Sequence, residues 1–189
     1  MSARPQRADA RRNRERVLAA AREAFASEGL TVPLDEIARR AGVGAGTVHR
    51  HFPTKEALYA AIVSDYLRER TERARALAAR DDPGEALELF FRELAVSGAG
   101  NRAFTDALTK AGTDVTASPV GEAGRELLDA FGELLERAQR AGTVREDITV
   151  TQIKALLLGV LTAGDWLGAD AGTRRHLADV LCTGFRPRH

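Results

Sequence analysis

Hydrophobic residues recur every three or four positions along most of the chain, the spacing that places side chains on one face of an α-helix. Leu18, Ala21 and Phe25 share such a face in the first segment, and Phe104 and Leu108 lie four apart further on. No alternating run longer than three residues indicates a strand, and no internal repeat is present. The pattern predicts an all-α fold of about nine helices, over residues 11–28, 34–41, 45–52, 55–79, from 83 to beyond 94, 101–111, from 119 to a stop at 142, 153–167 and 173–183.

Residues that favour helix ends mark several boundaries. Gly42 can adopt a positive φ at a tight turn without the steric cost of a Cβ atom. Asp82 precedes a proline and is typical of a helix N-cap. Thr149 and Gln152 have the spacing of a capping box. Gly184 is expected to stop the last helix.

Residues 34–52 have the organisation of a helix-turn-helix unit, in which a glycine-containing turn joins two short helices. Val48 and Phe52 are four residues apart on the second helix and are expected to point inward together. The remaining face would fit a DNA major groove about 12 Å wide. A three-helix corner with a purely structural role is the alternative. The outward face carries small and polar residues: Ala45, Gly46, Thr47, His49, Arg50 and His51.

Charge is distributed unevenly between the two ends of the chain. Residues 1–54 contain ten arginines and six acidic residues, a net charge of +4, whereas the remainder carries −3. More than half of these arginines crowd the very start of the chain, namely Arg4, Arg7, Arg11, Arg12, Arg14 and Arg16. A solvated tail explains this cluster, but clustered arginine also suits a polyanionic partner.

Several classes of protein are disfavoured by composition. The single cysteine, Cys182, excludes an internal disulfide framework or a multi-cysteine zinc site. The basic N-terminus is followed by no apolar run, so no secretory signal is predicted. The longest charge-free apolar stretch, residues 155–164, is far shorter than the roughly 20 residues that span a bilayer. We therefore expect a soluble, cytoplasmic protein that does not bind membranes.

Residues 14–61 resemble the N-terminal domain of the TetR family of bacterial transcriptional regulators. The resemblance is most specific over residues 37–58, IARRAGVGAGTVHRHFPTKEAL. It implies a three-helix DNA-binding head over residues 1–54, then a long connecting helix and a helical bundle for ligand binding and dimerisation over residues 55–189. The second half resembles the SbtR-like subgroup of the family.

The resemblance also implies roles for individual residues. Thr47 matches a position that contacts phosphate or base, and Lys55 matches a lysine that meets the DNA backbone. His51 matches a position that is commonly His or Tyr. His49 stands where many members have a Tyr that reaches phosphate, and whether its imidazole makes the same contact is left open. From its own chemistry, Arg50 can fork onto guanine or bind phosphate. Lys55, which opens a helix against the dipole, either attracts an external anion or faces solvent.

The second half is expected to dimerise and to hold a ligand. Its helix over 153–167 is apolar nearly all round, which suggests a partner surface, although a deeply buried core helix of a monomer is the alternative. The predicted symmetric interface comprises Leu156, Leu157, Val160, Leu161, Leu177, Val180 and Leu181. Candidate pocket residues, most of them expected to be ordinary core, are Tyr66, Phe90, Phe91, Phe104, Phe131 and Trp166.

These patterns and the resemblance together predict a ligand-responsive transcriptional regulator. We expect a repressor that binds a palindromic double-stranded DNA operator as a homodimer and is released by a small apolar or amphipathic effector. The sequence lacks a Ser-His-acid set, a phosphate-binding loop and a metal-ligand cluster, so neither an enzyme nor a cofactor is expected. A helical scaffold whose head no longer binds DNA is the remaining alternative.

Overall fold

The structure, a computed structural model, describes residues 3–97 and 119–187, and all regular structure within these ranges is helical. The all-α prediction is therefore confirmed, and the predicted helix over 101–111 lies outside the described residues. A 3-10 turn at Gly29–Thr31 follows the first helix. The eight described helices are α1 (Ala3–Glu28), α2 (Leu34–Ala41), α3 (Ala45–His51), α4 (Lys55–Ala78), α5 (Pro83–Ser97), α6 (Pro119–Arg140), α7 (Val150–Trp166) and α8 (Ala171–Phe185).

Most predicted helix ends are formed by the expected residues. Gly42 ends α2 with a φ of 63°, and its N–H donates to the Ala38 and Arg39 carbonyl oxygens. The Asp82 carboxylate accepts from the Glu85 N–H at 2.9 Å, as expected of an N-cap. The capping box of Thr149 and Gln152 is complete at the start of α7.

The predicted stop at Gly184 is wrong, because α8 continues through it to Phe185. Phe185 is almost fully buried, and its ring packs edge-on against Phe91 at 5.3 Å between centroids. That contact stabilises the end of the helix, so tertiary packing outweighs the weak helix propensity of glycine. Gly184 does not have a positive φ, whereas Gly168, just after α7, has a φ of 61°.

The chain divides into two compact units, residues 1–62 and 63–189. In the first unit, α1, α2, α3 and the start of α4 enclose a small core whose fully buried members include Val17, Ile37 and Leu58. Ala38 and Ala41 supply small side chains on the buried face of α2. The core of this unit therefore fixes α3 from beneath.

In the second unit, α5 packs against α6, α7 and α8. Phe90 of α5 meets Phe131 of α6 edge-on at 5.1 Å between ring centroids. Such edge-to-face pairs add to the stabilisation that burial alone provides. None of the helices in the described ranges combines the length and the apolar character that crossing a membrane requires.

A buried arginine holds the corner between α7 and α8. Arg174 is only 4% exposed, and its guanidinium donates to the Leu161 carbonyl at 3.3 Å, to the Ala169 carbonyl at 3.1 Å and to the Asp165 carboxylate at 2.8 Å. The guanidinium therefore links α7 to the segment that leads into α8. Gly164 provides the space, because a Cβ atom there would collide with the guanidinium.

Candidate nucleic-acid interface

Helix α3 separates cleanly into a buried side and an exposed side. Val48 is fully buried and Phe52, directly after the helix, is 4% exposed, as predicted from their spacing. The Gly44 carbonyl accepts from the Thr47 N–H at 2.8 Å and so starts the helix. Thr47 is half-buried, whereas the other outward residues are exposed: Ala45, Gly46, His49, Arg50 and His51. The exposed side is therefore small and polar, without a large apolar group.

The Arg50 and His49 side chains of α3 are held only by weak, exposed contacts. The Arg50 Nε donates to the Gly46 carbonyl of its own helix at 3.0 Å. The His49 Nε2 lies 3.2 Å from an Asp35 carboxylate oxygen on α2. Because the Arg50 and His49 side chains are exposed, water or a phosphate oxygen can replace these partners at little cost. The arrangement lets Arg50 turn outward toward a ligand.

Lys55 opens α4 and already has one partner. Its ammonium donates to the Leu30 carbonyl of the 3-10 turn at 2.8 Å. An ammonium group has three donors, so two remain for an external anion. Thr54 caps the same helix end, since its hydroxyl accepts from the Ala57 N–H at 3.1 Å. Lys55 therefore joins the start of α4 to the turn after α1 and can still bind an anion.

Two further arginines at the end of α2 are neutralised by neighbouring acids. Glu36 accepts from Arg39 at 2.6 and 2.7 Å and from Arg40 at 2.8 Å, and Arg40 also pairs with Glu28 at the end of α1. The hydrogen bonds from Arg39 and Arg40 lower the pKa of Glu36 to about 2. The i, i+3 and i, i+4 spacings in the sequence could have indicated the pairs within α2, but the pair to Glu28 depends on the fold.

Sequence reasoning also missed a contact beneath α3. The Arg14 guanidinium of α1 lies over the Phe52 ring, 5.8 Å from its centroid. A guanidinium over an aromatic face is attracted by the ring quadrupole. Arg14 therefore places a positive charge of α1 next to the residue that follows α3, which a helical periodicity within one segment cannot reveal.

The predicted pocket aromatics are placed mostly in filled core. Phe90, Phe91 and Phe131 are fully or almost fully buried and are engaged in ring-to-ring contacts. The Tyr66 hydroxyl bonds the Ser97 hydroxyl at 3.2 Å. Trp166 is 85% exposed and therefore lies at the surface of the protomer. Phe104 lies outside the described residues.

The residues of the predicted dimer face differ in their burial within the protomer. Leu157 and Leu161 are fully buried and Val160 nearly so, which means that these residues fill the core of the protomer itself. Leu156, Leu177 and Leu181 are half-buried, and Val180 is exposed. A helix that is apolar all round turns most of its larger side chains inward. The exposed face of α7 carries Ala155, Gly159, Thr162 and Trp166.

Cys182 bears on the alternative of an enzyme. Its thiol is buried, and burial raises the pKa of Cys182 to about 12. The thiolate is the nucleophilic form of cysteine, so a thiol with such a pKa is unreactive at neutral pH.

Comparison with known proteins assigns both halves of the chain. The family described as "Bacterial regulatory proteins, tetR family" matches residues 17–62. The family described as "Transcriptional regulator SbtR-like, C-terminal domain" matches residues 82–187. The second match alone covers more than half of the chain, and it agrees with the subgroup that the sequence suggested.

Individual relatives agree with this assignment. The chain is 31% identical over 146 residues to the HTH-type transcriptional repressor KstR of Mycolicibacterium smegmatis, covering 74% of this chain and 69% of KstR. The crystal structure of a TetR transcription regulatory protein from Mycobacterium vanbaalenii is 47% identical, with a TM-score of 0.72 and coverage of 97% of this chain and 100% of the other. A TetR transcriptional regulator from Streptomyces coelicolor is 32% identical, with a TM-score of 0.72 and coverage of 93% and 99%.

The matches span the helix-turn-helix unit as well as most of the second unit, and the solved structures cover nearly the entire chain. They agree with the polar, cationic face that α3 exposes above a buried anchor. The chain belongs to the TetR family of bacterial regulatory proteins and is a ligand-responsive, DNA-binding transcriptional regulator, not an enzyme.

Proposed function

We propose that the protein is a repressor that binds a near-palindromic operator as a homodimer through α3 and the start of α4. Residues 1–54 would form the DNA-binding domain, and residues 55–189 would bind the effector and form the dimer. The observation that carries the proposal is the exposed polar face of α3, anchored from below by Val48 and Phe52. The relative KstR is a transcriptional repressor, which supports repression over activation.

The contacts to DNA follow from the side chains on this face. Arg50 would exchange the Gly46 carbonyl for the O6 and N7 acceptors of a guanine and thereby read sequence. Lys55 would bind backbone phosphate with the donors that Leu30 leaves free. Thr47, His49 and His51 would add polar contacts to the same duplex edge. Ala45 and Gly46 would allow close approach.

The exposed apolar surface of the second unit supports a homodimer. Trp166 is 85% exposed, Leu167 61% and Val180 57%. Trp166 and Leu167 are adjacent in sequence at the end of α7, and exposed large apolar side chains commonly mark an interaction site. The small residues Ala155 and Gly159 on the same face of α7 would let a partner helix approach closely. A two-fold axis would pair this face with its copy and would present two heads to major grooves roughly 34–36 Å apart.

Release by an effector requires unequal binding to two states of the dimer. A small molecule that binds equally well to the DNA-binding form and to the other form does not change the populations of the two forms. The effector would therefore favour a dimer in which the spacing of the two α3 helices no longer matches the helical repeat of DNA.

Footprinting on the DNA that flanks the protein's own coding region tests the proposal. The expected result is a protected region with two half-sites related by two-fold symmetry and separated by about one helical turn or a multiple of it. Arg50→Ala should remove protection, whereas Arg68→Ala, an exposed arginine on the surface of α4 outside the α3 face, should preserve it. Protection of one half-site alone would contradict the dimeric operator, and wild-type protection by Arg50→Ala would contradict the role of Arg50.

A further inference from the structure

A groove in the second unit concentrates arginine beside apolar side chains. It has a volume of about 430 Å³ and is formed by α4, α5 and α8. Three guanidinium groups line it, those of Arg70, Arg92 and Arg175. Leu89 and Val96 supply its apolar lining, and Glu93 and Ser97 complete the wall. We refer to the groove lined by Arg70, Arg92, Arg175, Leu89 and Val96 as the arginine groove. Its volume is within the range of small-molecule sites.

The acidic groups near the groove are already engaged by other cations. Glu93 accepts from Arg73 at 2.6 and 2.9 Å, and those hydrogen bonds lower the pKa of Glu93, which keeps it ionised and paired. Arg92 in turn is paired with Glu88 at 2.8 Å and with Asp179. The charges of Glu93 and Arg92 are therefore balanced within the protein.

Arg70 and Arg175 are less completely paired: Arg70 has only a long ion pair with Glu69 and a through-space attraction to Glu93. The Arg70 guanidinium lies over the Tyr66 ring, 4.7 Å from its centroid, and its side chain is only 20% exposed. Its buried Nε has no hydrogen-bond partner within the described part of the chain, and Glu69 approaches no closer than 3.9 Å, beyond hydrogen-bond distance. A buried donor without an acceptor is unfavourable, so an acceptor supplied by a ligand would be stabilising.

Arg175 is exposed and, among the described residues, forms neither a hydrogen bond nor an ion pair. It lies four residues before Asp179, which contacts Arg92 of α5, so Arg175 is on the flank of α8 that faces α5. Leu177 and Leu181, predicted for the dimer interface, lie on the other flank of the helix. The arginine groove can therefore stay open in the dimer proposed above.

We propose that the arginine groove binds the carboxylate of a small amphipathic organic acid and that this acid is the effector. Arg70 and Arg175 donate to the carboxylate oxygens, because guanidinium and carboxylate match in geometry as well as in charge. Leu89 and Val96 pack against the apolar part of the acid. A carboxylate is favoured over a doubly charged phosphate because Glu93 lines the groove and Asp179 already pairs with Arg92. The effector role rests on the proposed function, whereas the binding site itself does not.

The site is tested by calorimetric titration of the full chain with octanoate, 1-octanol and octyl phosphate, three probes with one apolar part and different head groups. Octanoate should bind at least about tenfold more tightly than 1-octanol, since charged hydrogen bonds contribute more than neutral ones. Arg70→Gln and Arg175→Gln should each weaken octanoate binding about tenfold. Arg75→Gln, which removes an exposed arginine of α4 paired with Glu72, is the matched control and should bind octanoate as the wild type does.

Each outcome decides the proposal. Equal affinity for octanoate and 1-octanol, or wild-type octanoate binding by both Arg70→Gln and Arg175→Gln, overturns the site, and tighter binding of octyl phosphate overturns the choice of a carboxylate. Circular dichroism of each variant identifies any loss of fold, and Arg175→Gln keeps the test valid if Arg70→Gln unfolds. Operator binding is measured on the same samples without octanoate, so a failure of DNA binding is separated from a failure of the groove. Octanoate that binds in the groove but leaves operator affinity unchanged overturns the effector role.

Discussion

Helices α3 and α7 both bury one side in their own unit, yet they expose opposite chemistry on the other side. Around its buried Val48, α3 exposes His and Arg side chains, with Thr47 half-buried among them, and no large apolar group. Helix α7 exposes small residues and Trp166. A cationic, polar face suits the edges of DNA, whereas an apolar face of low relief suits a second copy of the same surface. The exposed face of a helix, rather than its buried anchor, therefore indicates the class of partner.

The largest expected effect tests how firmly α7 is fixed from within. Arg174→Met removes the donor that satisfies two carbonyls and the Asp165 carboxylate at the corner of α7 and α8. Asp165 is 40% exposed, so the larger loss is that of the charged hydrogen bonds to the two carbonyls, and the free energy of unfolding should fall by about 3 kcal/mol. Urea denaturation measures it, and Arg175→Met on the adjacent, exposed position should change it little. A variant as stable as the wild type would show that the corner does not depend on Arg174.

A second substitution tests the exposed face of α7 directly. Trp166→Asp should weaken the dimer by about 2 kcal/mol or more, because it removes a large aromatic side chain from the proposed interface and adds a charge there. Sedimentation equilibrium over a concentration series measures the dissociation constant. Leu30→Asp is the matched control, since Leu30 is an exposed large apolar residue of the first unit, 49% exposed. Equal dissociation constants for Trp166→Asp and Leu30→Asp would show that Trp166 does not lie in the dimer interface.

The exposed face of α3 is tested by comparing two cations. Arg50→Ala should weaken operator binding by about 1–3 kcal/mol and relax the choice among operator variants, as expected of a base-reading arginine. Lys55→Ala should weaken binding to all duplexes by a similar factor. Fluorescence anisotropy with a panel of operator variants distinguishes the two patterns. An unchanged order of preference in Arg50→Ala would make Arg50 a phosphate contact.

The smallest expected effect concerns acid stability of the first unit. The pKa of Glu36 is about 2 and that of Glu28 is also lowered, both through hydrogen bonds from arginine. A carboxylate with a depressed pKa in the folded state stabilises it above the pKa of the unfolded state, and that contribution is lost as pH falls toward the folded pKa. The difference in melting temperature between the wild type and Glu36→Gln should therefore be present at pH 6 and should shrink between about pH 4.5 and pH 2.

Glu23→Gln is the control for this acid effect, since Glu23 is also exposed in the first unit and lies outside the arginine pairs of Glu28 and Glu36. Its melting temperature should follow that of the wild type across the same pH range. A constant difference between wild type and Glu36→Gln down to pH 2 would show that the arginine pairs do not stabilise the folded state.

The sequence predicted α3 better than α7 for a physical reason. The seven residues of α3 include one large apolar side chain, Val48, so its buried side is unambiguous. Helix α7 is apolar nearly all round, and periodicity could not separate Leu157, which fills the core, from Trp166, which is exposed. The choice between them depends on the volume available in the rest of the bundle, which local sequence does not contain.

Contacts between distant segments were likewise beyond reach of the sequence. In the sequence, Arg174 resembles an ordinary surface arginine. Only the structure shows that its guanidinium is buried and packs closely against Gly164. Arg70 acquires its position over Tyr66 and in one groove with Arg175 only when α4, α5 and α8 are assembled. Polar groups in a core are fixed by partners that are remote in sequence, whereas caps and turns, such as the capping box of α7, are local and were predicted correctly.

The most direct test of the central claim, that α3 and the start of α4 bind duplex DNA, is the salt dependence of operator affinity for the full chain. Anisotropy titrations between about 50 and 200 mM salt should show a linear fall of log affinity against log salt concentration, amounting to at least about 100-fold, because cations of two heads displace counterions from phosphates. The slope should become shallower in Lys55→Ala. Affinity that is independent of salt, or no binding to any flanking duplex at the lowest salt, would contradict the account.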